Sequence, residues 1–391
     1  MIYLDHHATT PCDPRVVECM LPFWSEQFAN PHSTSHAAGR RIADAMNEAI
    51  ASIGEQLGVP ADMVLMTSGA TESNNLAIDG VCRHPRQKRR HVITSTIEHP
   101  AVLDVVDRLA KDGYRTSYVN VHPAGHPGAG RVDLAHLAEL LDEDTALVSI
   151  HWANNEVGVI QPMDAIAERV HAFGALLHSD ATQAVGRIRV DLSATDVDLI
   201  SASAHKFYGP KGVGFLTIAG GLPGRRVRLK PMFVGGGQQR NLRSGTMAPA
   251  NIIGCEAALR LSIAGKEDGE RHCNSLRDRL WQGLKDGIPE LVLNGPALDS
   301  PARRLGGNLN CMLPAVEGET WMMECPEIAF SSGSACSSTE AKPSHVLLGL
   351  GLDEAQARRS VRFGIGRGNT EGEIEVATRE LLRGYDRLVN L

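Results

Sequence analysis

The sequence predicts an α/β protein with a mostly parallel sheet, helices on its faces and a smaller α+β domain towards the C-terminus. Strand-like and helix-like segments alternate between residues 64 and 203, and this order builds a parallel sheet through crossover helices. Beyond residue 260 the strand-like segments are separated by longer loops, which favours a second domain of a different kind. The length of 391 residues and the hydrophobic content of 42% fit two domains that share a large core.

The alternating segments are assigned in chain order from their hydrophobic spacing. An amphipathic helix over residues 35–57 leads into a short strand at 64–67. The predicted strands that follow cover 91–95, 116–121, 146–151, 176–179 and 199–203, and the predicted helices between them cover 100–112, 134–141 and 163–173.

The domain boundary is predicted near residue 260. Helical segments at 250–264 and 267–286 lead from the alternating region to strands such as 291–294 and 358–365. We expect a large domain over residues 15–260 and a smaller domain formed by residues 1–14 together with 261–391.

Composition excludes several classes of function. The formal net charge of −7 gives no excess of positive charge, so neither a nucleic acid nor a membrane is expected as a partner. The chain starts without a basic region followed by an apolar run and contains no apolar run of 18 residues, which predicts a cytoplasmic protein. None of the eight cysteines forms a Cys-X-X-Cys pair, and no metal site is expected.

Lys206 is the first candidate for a reactive group. It lies where an apolar strand at 197–204 meets a glycine- and proline-rich loop at 208–212. A buried lysine loses the solvation of its ammonium group, so its pKa falls and its amine can form a Schiff base with an aldehyde such as pyridoxal phosphate. A structural lysine at a strand end is the alternative, and Lys211 is a rival candidate that we expect to be more solvated.

An anion site is predicted where the strand 64–67 runs into SGATESNN at 68–75 and an apolar helix. Free backbone N–H groups at the start of that helix and the hydroxyl of Thr71 would point at a phosphate. An ordinary capped helix is the alternative.

Polar side chains at three further strand ends suit an aromatic cofactor. Asp180 can keep a pyridine nitrogen protonated, and Gln183 can donate to a ring oxygen. His99 can stack on the ring or move a proton, although it can also simply cap a helix. Asn155 follows another strand. Ligands of open α/β sheets bind at the carboxyl ends of the strands, so this clustering indicates a site.

Two residues of the C-terminal part complete the set of candidates. Cys336 lies in the flexible and polar sequence FSSGSACSST at 330–339, where we expect the one solvent-exposed thiol of the chain and hence a possible nucleophile. An incidental surface cysteine is the alternative. Arg362 lies on a predicted strand and can bind a substrate carboxylate with its planar guanidinium group.

With these pieces in hand, the chain resembles the cysteine desulfurases of the iron–sulfur-assembly type over nearly its whole length. Ten blocks in family order carry the resemblance: YLDHHATT (3–10), NPHSTSH (30–36), TSGATESNN (67–75), EH (98–99), NNEVG (154–158), DATQ (180–183), SAHK (203–206), GGGQQ (235–239), RSGT (243–246) and SSGSAC (331–336). The resemblance implies a fold-type I pyridoxal-phosphate-dependent transferase.

The resemblance also implies a role for each candidate residue. Lys206 would carry pyridoxal phosphate, and Cys336 would accept sulfur from L-cysteine while L-alanine is released. The other implied cofactor contacts are Ala70, Thr71, Ser203 and His205 with Thr246 of a second subunit around the phosphate, Asp180 at the pyridine nitrogen, Gln183 and Asn155 at the ring oxygen, and His99 against the ring. Arg362 and Asn155 would bind the substrate.

The implied partners are a second copy of the chain and a sulfur-acceptor protein, either an iron–sulfur scaffold or a thiolation enzyme. Three other functions remain open at this point. A selenocysteine lyase and an aminotransferase share the fold, although Cys336 argues against the aminotransferase. A catalytically silent partner that binds a sulfur carrier would keep the fold, although Lys206, Asp180 and Cys336 argue against it.

Overall fold

The structure is a computed structural model that describes residues 1–219, 227–299, 303–332 and 342–390. Its strands are β1 (Ile2–Tyr3), β2 (Val64–Thr67), β3 (His91–Ser95), β4 (Arg115–Val119), β5 (Thr145–Ser149), β6 (Leu176–Asp180), β7 (Leu199–Ser203), β8 (Gly214–Ile218), β9 (Val292–Leu293), β10 (Asn308–Met312), β11 (Ile328–Ala329), β12 (Ser331–Ser332) and β13 (Ser360–Gly364). Its helices are α1 (Pro14–Met20), α2 (Pro22–Ser25), α3 (Ala37–Leu57), α4 (Ala70–Cys82), α5 (Pro100–Lys111), α6 (Leu134–Leu140), α7 (Met163–Ala172), α8 (Pro249–Ala264), α9 (Lys266–Gly287), α10 (Gly318–Glu324), α11 (His345–Gly349), α12 (Glu354–Arg358) and α13 (Glu371–Val389).

A seven-stranded sheet has the order β2-β8-β7-β6-β5-β3-β4. Neighbouring strands from β7 to β4 pair in parallel, whereas β8 pairs antiparallel with both β2 and β7. The predicted fold class, a mostly parallel sheet with flanking helices, is confirmed. Strand β8 is not among the predicted strands, because its five residues carry no alternation that separates them from the glycine-rich turn before them.

Both faces of this sheet are buried. Successive residues of one strand pack into different apolar clusters: Ile93, Val148 and Ile200 join a cluster with α3 and α8, while Val92, Leu147 and Leu199 join one with α4 and α5. Because side chains alternate between the two faces of a strand, these clusters lie on opposite faces of the sheet. A parallel sheet that is covered by helices on both faces requires this arrangement.

A second sheet, with the order β12-β13-β10-β9, is antiparallel and has its own apolar cluster. Trp321, Phe330 and Phe363 pack together there with ring centroids 4.8–6.0 Å apart, Trp321 edge-on to the two stacked phenylalanine rings, and helices α9 and α13 cover them. Leu4 belongs to this cluster, although it is near the start of the chain. The division into a large domain (15–260) and a small domain (1–14 with 261–391) stays a prediction.

The segment 5–10 runs between the two sheets. The backbone N–H of His6 donates to the carbonyl of Gly364 in β13 (2.8 Å), and that of Thr10 donates to the carbonyl of His205 after β7 (2.9 Å). The N-terminal segment therefore places backbone carbonyls beside Lys206.

No helix in the described residues is long and apolar enough to cross a membrane.

Candidate active site

A cavity of about 510 Å³ lies at the carboxyl ends of the parallel strands. Its wall includes Ala70, Thr71, His99, Asn155, Asp180, Gln183, Ser203, His205, Lys206 and Arg362. The carboxyl ends of parallel strands meet at the same edge of a sheet, which explains why residues from distant segments converge here. Of the residues predicted for a site, the structure thus brings ten together in one wall.

Lys206 closes a short 3-10 turn that follows β7, and its side chain is half-buried. Its Nζ donates to the backbone carbonyls of His7 (2.8 Å) and Ala8 (2.7 Å). These two acceptors fix the amine at the cavity wall. Lys211, the rival candidate, is exposed in the following turn, as its sequence context predicts.

Asp180 ends strand β6 and is only 8% exposed. Its Oδ2 accepts a hydrogen bond from Nδ2 of Asn74 (2.7 Å), and its Oδ1 accepts one from the backbone N–H of Thr182 (3.0 Å). Both donors are neutral, so they satisfy the carboxylate without cancelling its charge. A cation in the cavity, such as a protonated ring nitrogen, can therefore use that charge.

His99 combines two roles that the sequence analysis treated as alternatives. It caps α5, and it also lines the cavity. Its Nδ1 accepts a hydrogen bond from the backbone N–H of Ala101 (3.1 Å), which places the proton of the neutral ring on Nε2. Burial lowers the pKa of His99, although the nearby Asp180 raises it and Lys206 lowers it further. The residue therefore offers a neutral ring with an Nε2–H donor.

The start of α4 fits an anion. Gly69 precedes the helix with φ 151°, a conformation that favours glycine, and a Cβ there would lie 3.5 Å from Oγ of Ser203. Oγ of Ser203 therefore lies next to the residue that precedes the first helical turn, whose N–H groups can bind an anion. Burial, and then the charges of Lys206 and Lys211, lower the pKa of His205 to about 4, so His205 is a neutral group in positive surroundings. A phosphate dianion would be attracted to them.

Arg362 in β13 is 4% exposed and forms the opposite side of the cavity. Its Nη2 donates to Oδ1 of Asp5 (2.7 Å) and Oγ of Ser331 (3.1 Å), and its Nη1 donates to the carbonyl of Asn155 (3.3 Å). Its buried Nε has no hydrogen-bond partner among the described residues. The guanidinium group is thus held in place but still has a donor for a ligand.

Gln183 is hydrogen-bonded to the N-terminal segment. Its Nε2 donates to the carbonyl of His7 (2.9 Å), and its Oε1 lies 3.1 Å from Nδ1 of the same histidine. An amide nitrogen has two N–H groups, so one remains for a ligand.

Buried polar atoms without a partner test whether the cavity fits pyridoxal phosphate. Among the described residues, Oδ1 of Asn74, Oγ1 of Thr182 and Nε of Arg362 are buried and unpaired, and all three residues line the cavity. Buried polar atoms are nearly always hydrogen-bonded in folded proteins. Together with an acidic group, an anion-binding helix start and a lysine, they fit a polar aromatic aldehyde with a phosphate group.

Two predicted residues are not in this wall. Thr246 is exposed and lines a separate cavity of about 140 Å³ with Gln239, Arg243 and Asn251. Cys336 lies outside the described residues. The expectation that Cys336 would be the one exposed thiol is wrong, because Cys19 is exposed. It lies on α1, a short helix in which Val16 is the buried residue.

Asn74 and Asp5 are site residues that the sequence analysis does not single out. Asn74 is fully buried four residues after Ala70. Its place just before the apolar run at 76–78 is the signal that points to a buried polar side chain. No local signal points to Asp5, since its partner Arg362 is 357 residues away.

Comparisons with known proteins agree with this geometry. The family model for class-V aminotransferases matches residues 2–376. The cysteine desulfurase IscS of Rickettsia bellii is 40% identical over 390 residues, which cover 100% of this chain and 92% of the relative. A solved NifS-like protein has a TM-score of 0.89 at 34% identity and covers 100% of both chains. A structure of SspA in complex with cysteine has a TM-score of 0.79 at 29% identity, covering 95% of this chain and 100% of that one. The chain belongs to the class-V aminotransferase family and, within it, to the pyridoxal-phosphate-dependent cysteine desulfurases.

Proposed function

We propose that the chain removes sulfur from L-cysteine with Lys206 as the amine that carries pyridoxal phosphate and Cys336 as the sulfur acceptor. The products are L-alanine and a persulfide on the enzyme. The observation that carries this proposal is the position of Lys206 Nζ, which is fixed by two carbonyls in a cavity that also contains Asp180 and Arg362.

The cofactor would be held at both ends. The N–H groups and side chains around Ala70 and Thr71, with Ser203 and His205, would bind the phosphate. Asp180 would pair with the ring nitrogen, Gln183 and Asn155 would reach the ring oxygen, and His99 would lie against the ring. When bound, pyridoxal phosphate supplies an electron sink for the pair that the Cα–H bond leaves behind.

The protein's own groups would bind the substrate and move its protons. Arg362, whose Nε has no partner in the described part of the chain, would bind the carboxylate of L-cysteine, with Asn155 beside it. Lys206 would take the Cα proton on its Nζ, since its amine lies in the wall of the same cavity as Arg362. Nε2–H of His99 is a neutral donor in the same cavity.

Cys336 would complete the reaction as a nucleophile. Its thiolate attacks the substrate sulfur, so that a sulfur–sulfur bond forms while the Cβ–S bond of the substrate breaks. The electron pair of the broken bond stays with the substrate Cβ, which takes up one proton to become the methyl group of alanine. The persulfide then delivers its outer sulfur to an acceptor protein, an iron–sulfur scaffold or a thiolation enzyme.

The enzyme is proposed to act as a homodimer in the cytoplasm. Large apolar side chains are exposed on two segments: Trp24 (64%) and Phe28 (75%), and Phe233 (48%) and Val234 (82%). Exposed apolar groups of this size favour an interface, and a second copy of the chain would cover them. Thr246 lies outside the large cavity of its own chain, which suits a contribution to the phosphate site of the partner.

The substitution Cys336→Ser tests this division of roles. Serine is scarcely ionised at neutral pH, so the variant should stay yellow and change its absorbance on adding L-cysteine, while alanine and protein-bound persulfide fall by roughly 10³-fold or more. Cys19→Ser is the matched control, since Cys19 is an exposed thiol outside the cavity, and it should keep normal turnover. A persulfide that mass spectrometry finds on Cys19 or another cysteine, or near-normal turnover of the Cys336→Ser variant, would contradict the proposal.

A further inference from the structure

We propose that Asn74 is a positioning residue that orients the Asp180 carboxylate and keeps the proton on the nitrogen of the cofactor ring. The inference rests on the proposed role of Asp180 and extends it to a residue of helix α4. It concerns how strongly the ring withdraws electrons.

The contact is direct and enclosed. Asn74 is completely buried, and its Nδ2 lies 2.7 Å from Oδ2 of Asp180. A carboxylate can only accept, so the amide nitrogen must be the atom that faces it. Oδ1 of Asn74 is buried without a partner in the described part of the chain, which is unusual for an amide and marks this side chain as part of a ligand site.

The neighbouring titratable groups do not replace Asn74. His178 lies two residues before Asp180 on the same face of β6, and burial lowers its pKa to about 4 although Asp180 raises it. Its nitrogens contact Oγ of Ser149 (2.8 Å) and Oγ of Ser201 (2.9 Å). His99 is likewise held neutral by burial.

Four other charged side chains line the cavity: Glu72, Lys206, Lys211 and Arg362. Glu72 pairs with Arg243 and Arg362 with Asp5, Lys211 is exposed, and Nζ of Lys206 is bonded to backbone carbonyls of the N-terminal segment. The two hydrogen bonds to Asp180 that the structure shows come from Asn74 and from the backbone N–H of Thr182. Of these two donors, only Asn74 is a side chain, so it can be removed without a change in the backbone.

A hydrogen bond to a carboxylate makes it less basic. Without the Asn74 donor, Asp180 would compete more strongly for the proton that it shares with the ring nitrogen, and the ring would lose positive charge. A less positive ring raises the proton affinity of the link between the cofactor and Lys206. The apparent pKa of the visible absorbance band reports that proton affinity, so it measures the effect without any turnover.

Helix α4 would thus serve both ends of the cofactor. Ala70 and Thr71 stand in its first turn at the phosphate, and Asn74 follows one turn later, about 5.4 Å along the axis. A rigid helix therefore sets the spacing between the phosphate site and the support of Asp180.

The test is the substitution Asn74→Leu, which keeps the approximate volume and removes the donor. We expect the purified holoenzyme to stay yellow, with the apparent pKa of its visible band raised by about one unit, the size expected for losing one hydrogen bond to a charged group. Asn75→Leu is the matched control. Asn75 bonds the carbonyl of Thr71 and the side chain of Arg108, so its substitution should leave the band unchanged.

A second arm replaces the cofactor. Apoenzyme reconstituted with a pyridoxal phosphate analogue that has carbon in place of the ring nitrogen should titrate identically in wild type and Asn74→Leu. If Asn74→Leu does not fold, Asn74→Ala is measured instead, and a rise in the same direction is expected.

An unchanged apparent pKa in the Asn74 variant, or an equal rise with the carbon analogue, would overturn the inference. Failure of the proposed function looks different. In that case Lys206→Ala would retain the visible band and its titration, whereas failure of the present inference alone would leave the band dependent on Lys206 but independent of Asn74.

Discussion

The two sides of the cavity hold their charged groups in opposite ways. On the side of the seven-stranded sheet, Asp180 accepts hydrogen bonds from two neutral donors, so its negative charge is available to the cavity. On the side of β13, Arg362 already shares its charge with the carboxylate of Asp5. The first arrangement suits a cationic group that stays bound, and the second suits an anionic group that must bind and leave.

Substitution of Asp180 should reduce turnover more than substitution of Arg362. Asp180→Asn removes the charge that keeps the ring protonated, and we expect turnover to fall on the order of 10³-fold while cofactor binding persists through the phosphate. The measurement is alanine production by holoenzyme that is matched for cofactor content. A loss of less than tenfold would mean that the charge on this side does not support the chemistry.

Arg362→Lys should affect binding more than the chemical step. Lysine keeps the charge but cannot present the planar pair of donors, so we expect KM for L-cysteine to rise roughly 30-fold with a smaller change in kcat. Steady-state kinetics at fixed pH measure both. A fall in kcat with unchanged KM would instead assign Arg362 to the reaction itself.

Asp5→Asn tests whether Asp5 weakens substrate binding by sharing the charge of Arg362. Removing its charge leaves Arg362 more positive, so we expect KM to fall by roughly threefold, opposite in direction to Arg362→Lys. The same kinetic assay measures it. A rise in KM would show that Asp5 acts mainly by holding the guanidinium group in place.

The smallest expected effect is the dependence of protein stability on pH. The pKa values of His178 and His205 are lowered to about 4, mainly by burial, whereas an exposed histidine titrates near 6.5. Between these values the unfolded chain binds more protons than the folded one, so stability is complete above pH 6.5 and is lost as the pH falls towards 4. The melting temperature of the apoenzyme should therefore fall between pH 7 and pH 5.

His178→Asn should reduce that fall, because it removes one of the histidines that are buried in the neutral form. His136→Asn is the comparison, since this half-buried residue on α6 lies outside the sheet and its Nδ1 accepts a hydrogen bond from the exposed backbone N–H of Asn120. A melting temperature of wild type that does not change between pH 7 and pH 5 would contradict the account of the sheet side.

Local patterns in the sequence predict one side of the cavity better than the other. Lys206, Asp180 and His99 each follow an apolar strand, and the end of such a strand is visible in the sequence itself. The partners that hold them are not visible, because Asn74 lies 106 residues from Asp180. Their contact depends on how α4 packs against the sheet.

The β13 side shows the same limit more strongly. Arg362 is recognisable as an arginine on a strand, but its bond to Asp5 joins residues 357 positions apart. The solvent exposure of individual cysteines is also not predictable from the neighbouring residues. Cys19 is exposed because α1 buries only Val16, and nothing in the neighbouring residues distinguishes it from a buried cysteine.

The central claim is that Lys206, on the sheet side, is the residue that carries the cofactor. The most direct measurement is reduction of the yellow holoenzyme with borohydride, followed by digestion and mass spectrometry to locate the modified lysine. The account predicts the pyridoxyl group on Lys206 and no stable adduct in Lys206→Ala. An adduct on Lys211, or one that persists in Lys206→Ala protein, would contradict it.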